Sequence, residues 1–479
     1  MAKAETSKVK VYINCCTRLN GLVDSLNKAD IDKEELLTIL EDIAGTMEKL
    51  ANDPNFLSDE DEVNEIDDMP PEIKDWLAST FTGTAAPKKR TERPRFKAVV
   101  NAILAMLMVE KIFKKSTESA AMNIPPAIAK LMENSIHEWD FDILSLDKRC
   151  SGHTLKYMTV YIFLHHNILR KYKVSYDFLE EFLNSIEIGY NQNSHPYFNS
   201  VHASDVLQTV HFFIQNYKMM HWITDLQVFV FLFSAVIHDY DDPGYSNAFL
   251  IKTNDQLGLI YNDNQIRENH HVSAVFKILQ NPKCNFIRAL NKNEYSEFRK
   301  SVIECVLSCD LSQHFYHLKT IKAEMVSGNE VDKMKTIQFM LHAADISHPS
   351  KIWSIHNKWV EMWQEQMFRQ GDREKELNIP FSPLCSRKTA SIPEIQSSFL
   401  TYIIEPTFQL LGRLLELVRP SSPFIKSTSD MTIIPSLPHT HSASGPVTKS
   451  YPWTNRIVLN KSMWLRMTMA KTKSNQSFI

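Results

Sequence analysis

Residues 228–237 form a ten-residue run, Val-Phe-Val-Phe-Leu-Phe-Ser-Ala-Val-Ile, followed at once by His238 and Asp239. An apolar run of this length without alternation reads as a buried helix rather than a strand. The turn residues Asp242, Pro243 and Gly244 stop whatever element carries it. A buried helix that ends in an imidazole beside a carboxylate suits a metal ion. With 18 His among 479 residues, one His-Asp pair is expected about once by chance, so the reading needs partners elsewhere.

Glycine is scarce (11 residues), apolar runs are long and 43% of the chain is hydrophobic, so the expected protein is all-α with a real core. A net charge of -3 gives no reason to expect a nucleic-acid partner. No stretch reaches the ~18 apolar residues of a membrane-spanning helix. The opening residues Met1, Ala2, Lys3, Ala4 and Glu5 lack an apolar h-region. Seven Cys, none in a CxxC pair, read as free thiols of a reducing compartment, which points to the cytoplasm.

Composition divides the chain into a helical regulatory region (1–135), a compact multi-helix catalytic body (136–418) and a disordered tail (419–479) rich in Ser, Thr and Pro. Within the first part, basic residues at Lys8, Lys10 and Arg18 precede an acidic loop at 59–68. A basic, apolar helix follows at 88–115, with Phe96, Val100, Ile103, Leu104, Leu107 and Ile112 on or near one face. Such a helix suits calmodulin, and equally a surface helix packed on the body with its lysines solvated.

Three segments supply what the central pair needs. His202 and Asp205 are three apart, so on a helix they share a face, and Asp205 could orient an imidazole. Glu268 and His271 repeat that spacing, and Asp345 closes a His-Ala-Ala-Asp block at 342–345. A His, a His-Asp pair and an Asp on separate helices form the ligand set of a helical HD-type metal phosphohydrolase. Each also has a plain structural role available: a lone His on an apolar helix is usually core, and Asp345 could be a helix cap. Imidazole with carboxylate suits Zn²⁺, and Asp239 could bridge to a water-rich Mg²⁺ or Mn²⁺, the two ions together activating water and clamping a phosphoryl group.

At this point the chain resembles the class I cyclic-nucleotide phosphodiesterases. The matching blocks are Tyr197-Phe198-Asn199-Ser200-Val201-His202-Ala203-Ser204-Asp205, His238-Asp239-Tyr240-Asp241, Tyr261-Asn262-Asp263, Glu268-Asn269-His270-His271, His342-Ala343-Ala344-Asp345, Gln370-Gly371-Asp372 and Pro380-Phe381-Ser382-Pro383-Leu384-Cys385. The stretches 72–81 and 96–114, His348 in its block and the wording around Glu405-Pro406-Thr407-Phe408 are similar to the calmodulin-dependent, type 1 group. The resemblance implies hydrolysis of cAMP or cGMP under Ca²⁺/calmodulin control. It implies Zn²⁺ on His202, His238, Asp239 and Asp345, with Mg²⁺ or Mn²⁺ sharing Asp239. It places Tyr197 and Glu268 among the catalytic residues, and Gln396, Phe399 and His348 against the substrate. Asp205, Asp242, His271 and Cys309 would support the metal ligands. Homodimerisation stays open.

The departures from the family lie at the chemistry. Phe198 stands where the family has a His thought to protonate the departing 3' oxygen, a role worth ~10²–10⁴-fold that a phenyl ring cannot fill. Asp242 replaces another His near the metals, Cys309 a usual Thr, and Trp363 a smaller residue facing the base. His195, three residues before Phe198, is a candidate substitute acid. The alternative to an enzyme is therefore an impaired homologue acting as a calmodulin- or nucleotide-binding scaffold.

Overall fold

The computed structural model describes residues 123–327, 330–418 and 451–476. The proposed calmodulin segments at 8–18 and 88–115 and the acidic loop at 59–68 lie outside the described residues. Among the described residues every regular element is helical, as expected. The order is α1 (Pro126–Ser135), α2 (Ile143–Cys150), α3 (Thr154–His165), α4 (Ile168–Lys171), α5 (Tyr176–Asn191), α6 (Ser200–Asn216) and α7 (Asp225–Ile237). Then come α8 (Asn247–Lys252), α9 (Gln256–Tyr261), α10 (Ile266–Ile278), α11 (Lys292–Leu307), α12 (His314–Val326) and α13 (Lys333–Asp345). The last are α14 (Trp353–Glu376), α15 (Ile392–Phe399), α16 (Glu405–Val418) and α17 (Pro452–Gln476), with a π turn at Leu400–Ile404 joining α15 to α16. No helix among the described residues is long and apolar enough to cross a membrane.

Helix α7 runs through the middle of the body because it is apolar on every side, and 228–237 are all buried. A capping box of Thr224 and Gln227 starts it. It packs against α6 and α11, and α13 lies against both α6 and α7. Phe229, Phe233, Phe286 and Phe298 interlock around it, with ring centroids 4.8 to 6.3 Å apart.

Two boundaries differ from the composition-based division. Ile128 and Met132 of α1 belong to the same core, so that core begins ahead of residue 136. The tail expected to be disordered contains α17, whose Trp453, Ile457 and Trp464 are buried. Arg456 Nη2 pairs with Asp140 at 2.9 Å, and Asn460 Nδ2 donates to the carbonyls of Pro349 and Lys351 at 2.8 and 2.7 Å. Trp464 Nε1 donates to His356 Nε2 at 2.8 Å. The physical reason is spacing. A low average hydropathy over 419–479 concealed Trp453, Ile457 and Trp464, which recur at helical intervals on one face.

Candidate metal centre

Three helix ends meet at the site. His202 sits in the first turn of α6, where the Asn199 side chain accepts from the backbone N–H groups of Val201 and His202 and fixes the start of the helix. His238 follows the last residue of α7, and Asp345 is the last residue of α13. The carbonyl-rich C-termini of two helices thus point toward one place, which favours a cation. Tyr190 holds the end of α7: its hydroxyl donates to Val236 O at 3.0 Å and accepts from Asp239 N at 3.3 Å.

One ligand atom from each of His202, His238, Asp239 and Asp345 falls within 4.8 Å of the others. His202 Nε2 lies 3.0 Å from Asp345 Oδ1 and 3.5 Å from Asp239 Oδ2; His238 Nε2 lies 3.3 Å from Asp239 Oδ2 and 3.5 Å from Asp345 Oδ1. His238 Nδ1 donates to Ala235 O at 3.0 Å, which leaves its buried Nε2 with no hydrogen-bond partner. That orphaned lone pair, aligned with two carboxylates, is what a divalent ion needs. The electrostatics agree. Burial, the largest influence, would lower the His238 pKa, yet Asp239 and then Asp345 outweigh it and hold it well above its ordinary value. The cluster therefore seeks positive charge, from a proton or from a metal.

A second group, Asp239, Asp242 and His271, adjoins the first. His271 Nδ1 donates to Tyr240 O at 2.7 Å, and its Nε2 lies 3.3 Å from Asp242 Oδ2 and 3.8 Å from Asp239 Oδ1. Burial alone would raise the Asp242 pKa, but Arg267, His271 and the backbone N–H of Gly244 hold it well below the carboxylate range.

The match to known proteins follows the same blocks. The family model "3'5'-cyclic nucleotide phosphodiesterase" covers residues 197–423, and its N-terminal counterpart covers 55–111. The human dual specificity calcium/calmodulin-dependent 3',5'-cyclic nucleotide phosphodiesterase 1B is 37% identical over 96% of this chain and 88% of its own length. The chain belongs to the 3'5'-cyclic nucleotide phosphodiesterase family. The human 1C relative is 36% identical over 88% of this chain and 60% of its own length. The crystal structure of the phosphodiesterase domain of the RhoPDE fusion protein from Salpingoeca rosetta shares the fold, with a TM-score of 0.60 at 22% identity, covering 72% of this chain and 99% of that one.

Around the His202, His238, Asp239 and Asp345 cluster, Tyr197 is buried with its ring 4.4 Å from that of His202, and Phe198 lies half-buried beside it. Glu268 is buried, accepts from Asn247 at 3.0 Å and has its pKa raised by burial despite the opposing pull of Arg267. Burial and then Asp345 and Asp239 push the Cys309 thiol up, so it remains protonated. Asp205 contacts Lys351 Nζ at 2.5 Å rather than an imidazole. His195 Nε2 donates to Asp242 O at 2.9 Å, so its ring is occupied in bracing the turn. His348 Nδ1 faces His356 Nδ1 at 3.1 Å. Because Trp464 donates to His356 Nε2, His356 Nδ1 carries the proton and donates to His348. Gln396 is buried with its amide oxygen unpaired, and Phe399 is half-buried one helical turn on; among the described residues no hydrogen bond or ring contact joins either to His202, His238, Asp239 or Asp345. Sequence reasoning passed over Arg267, Lys351 and His356. Only Arg267 carried a signal, its place directly before Glu268.

Proposed function

We propose that this phosphodiesterase acts on both cAMP and cGMP at the His202, His238, Asp239 and Asp345 cluster, with Zn²⁺ held there and Mg²⁺ or Mn²⁺ sharing Asp239, under Ca²⁺/calmodulin control in the cytoplasm. The observation that carries it is the partnerless Nε2 of His238 between two carboxylates. When bound, the ions supply Lewis acidity and activate water for in-line attack on phosphorus. The chain's own residues do the rest. Tyr197 and Trp359 pack on His202 and fix its ring. Glu268, with its raised pKa, is the carboxyl suited to exchanging a proton with water near the cluster. The unpaired Gln396 amide oxygen supports a purine contact, since an amide can turn to offer either donor or acceptor. Nothing in the family match favours the scaffold reading. Calmodulin control rests on the basic, apolar composition of residues 88–115 and on the calmodulin-dependent names of the relatives. Unpaired thiols at Cys150, Cys284, Cys305, Cys309 and Cys385 support a reducing compartment.

The test is hydrolysis of both nucleotides by the purified full chain, with metal content measured alongside. About one zinc per chain is expected, lost together with turnover in His238→Ala. Turnover that survives both His238→Ala and Asp345→Ala would remove the reaction from this cluster. Ca²⁺-calmodulin should bind the full chain, release on chelation of Ca²⁺, and fail to bind when Phe96 and Leu107 become Asp; binding indifferent to Ca²⁺ contradicts the control.

A further inference from the structure

Arg267, the second residue of α10, ties together two positions at which the site departs from its family. Its Nε and Nη2 lie 2.7 and 2.6 Å from Asp242 Oδ2, and its guanidinium carbon lies 4.3 Å from the centre of the Phe198 ring. The same Nη2 is 3.9 Å from Asp239 Oδ1. Asp242 is fully buried at its side chain, whereas Arg267 keeps 17% exposure.

Donor accounting shows what remains. A guanidinium has five N–H groups in a rigid fork. Two face Asp242, and among the described residues none accepts from Nη1. The ring of Phe198 and the carboxylate of Asp242 fix the plane of the head. The result is a permanent cation with spare donors, beside the metal-bridging candidate Asp239, at the edge of the cluster that solvent can reach.

We propose that Arg267 is a phosphoryl-binding residue, whose free Nη N–H groups hold an anionic oxygen of the cyclic phosphate. The inference rests on the hydrolysis assigned above to the neighbouring cluster. Hydrolysis joins the oxygen of water to phosphorus and breaks the bond to the ribose 3' oxygen. That oxygen takes up one proton of the water, and the other stays on the product phosphate. Arg267 enters neither proton transfer, because a guanidinium does not deprotonate in proteins. It acts through charge, preset where the phosphoryl oxygens gather negative charge in the transition state. Phe198, which cannot donate a proton, is in this site the platform that holds the cation. Asp242 is a positioning residue acting through Arg267.

The competing explanation is that Arg267 merely neutralises buried Asp242. Arg267→Met alone strands that carboxylate, so the decisive protein is the full-length, metal-loaded Arg267→Met/Asp242→Asn double variant. Its zinc content, thermal midpoint, affinity for inorganic phosphate by calorimetry, and kcat/KM are compared with wild type. The proposal expects unchanged zinc, a folded protein, phosphate affinity down tenfold or more, and kcat/KM down ~10²–10³-fold. Arg267→Lys should recover part of the phosphate affinity. Wild-type phosphate affinity and turnover in the double variant would overturn the proposal, and so would loss of zinc, since the pair would then be bracing the metal ligands. Phosphate affinity lost in the double variant while wild type itself hydrolyses neither nucleotide would support Arg267 and count against the assigned reaction instead.

Discussion

Lys351 and Asp205 form an ion pair in the interior, Nζ to Oδ1 at 2.5 Å, with side-chain exposures of 0% and 4%. Removing one partner leaves a charge that water cannot reach, which costs ~3–5 kcal/mol, whereas replacing both costs much less. Lys351→Met should therefore lower the free energy of unfolding in urea by about that amount, and Lys351→Met/Asp205→Asn should recover most of it. Equal loss in the single and double variants would mean that the stranded Asp205 charge is not the source of the loss. The i, i+3 spacing of His202 and Asp205 was readable and does place both on α6. The cation that takes the carboxylate comes from 146 positions away, and no local pattern announces it. The His202, His238, Asp239 and Asp345 cluster was easier to find because each member carries its chemistry in its own side chain. Arg267 was harder, since its role depends on two neighbours that the chain brings from 25 and 69 positions off.

Helix α17 lies against α14, α15 and α16 and covers the indole of Trp139 with that of Trp453, centroids 5.0 Å apart. Ending the chain at residue 450 uncovers Trp139, Phe408 and His356, which Trp453 and Trp464 otherwise shield. The expected result is a markedly lower thermal midpoint and binding of a hydrophobic dye; an unchanged midpoint would show that α17 adds nothing. Trp464→Phe is gentler: it withdraws the N–H that satisfies His356 Nε2, for a loss of ~1–3 kcal/mol in the free energy of unfolding. At this level the sequence spoke unevenly. The run at 228–237 declared α7 because only Ser234 interrupts its apolar residues, while α17 spreads polar and apolar residues around its circumference and is set beyond a Ser- and Pro-rich stretch. A helix whose stability comes from docking rather than from its own pattern is weakly marked in one dimension.

Four imidazoles of the body are buried where no carboxylate outweighs the loss of water. Burial is the main cause in each case, lowering the pKa to about 3 at His166, about 2 at His211, about 3 at His342 and about 3 at His356. His166 Nε2 and His211 Nδ1 are 2.8 Å apart, and His211 Nε2 faces His137 at 2.9 Å, so the hydrogen bonds need neutral rings. For a base whose folded pKa lies below its unfolded one, the stability is complete above the ordinary 6.5 and falls as the unfolded chain takes up protons below it. Each group then costs ~1.4 kcal/mol per pH unit until its folded pKa is reached. The thermal midpoint should drop steeply from pH 6.5 to 5, without added denaturant. A flat profile down to pH 5 would mean these rings are already charged in the native state.

Asp140 and Arg456 meet at 2.9 Å although 316 positions separate them. During synthesis the chain emerges in order, at ~5–20 residues per second. Trp139 must therefore wait, its face uncovered, for every helix between it and Trp453 to be made. His202, His238, Asp239 and Asp345 have all been made once the chain reaches position 345, well before the segment that closes the core over Trp139 is synthesised.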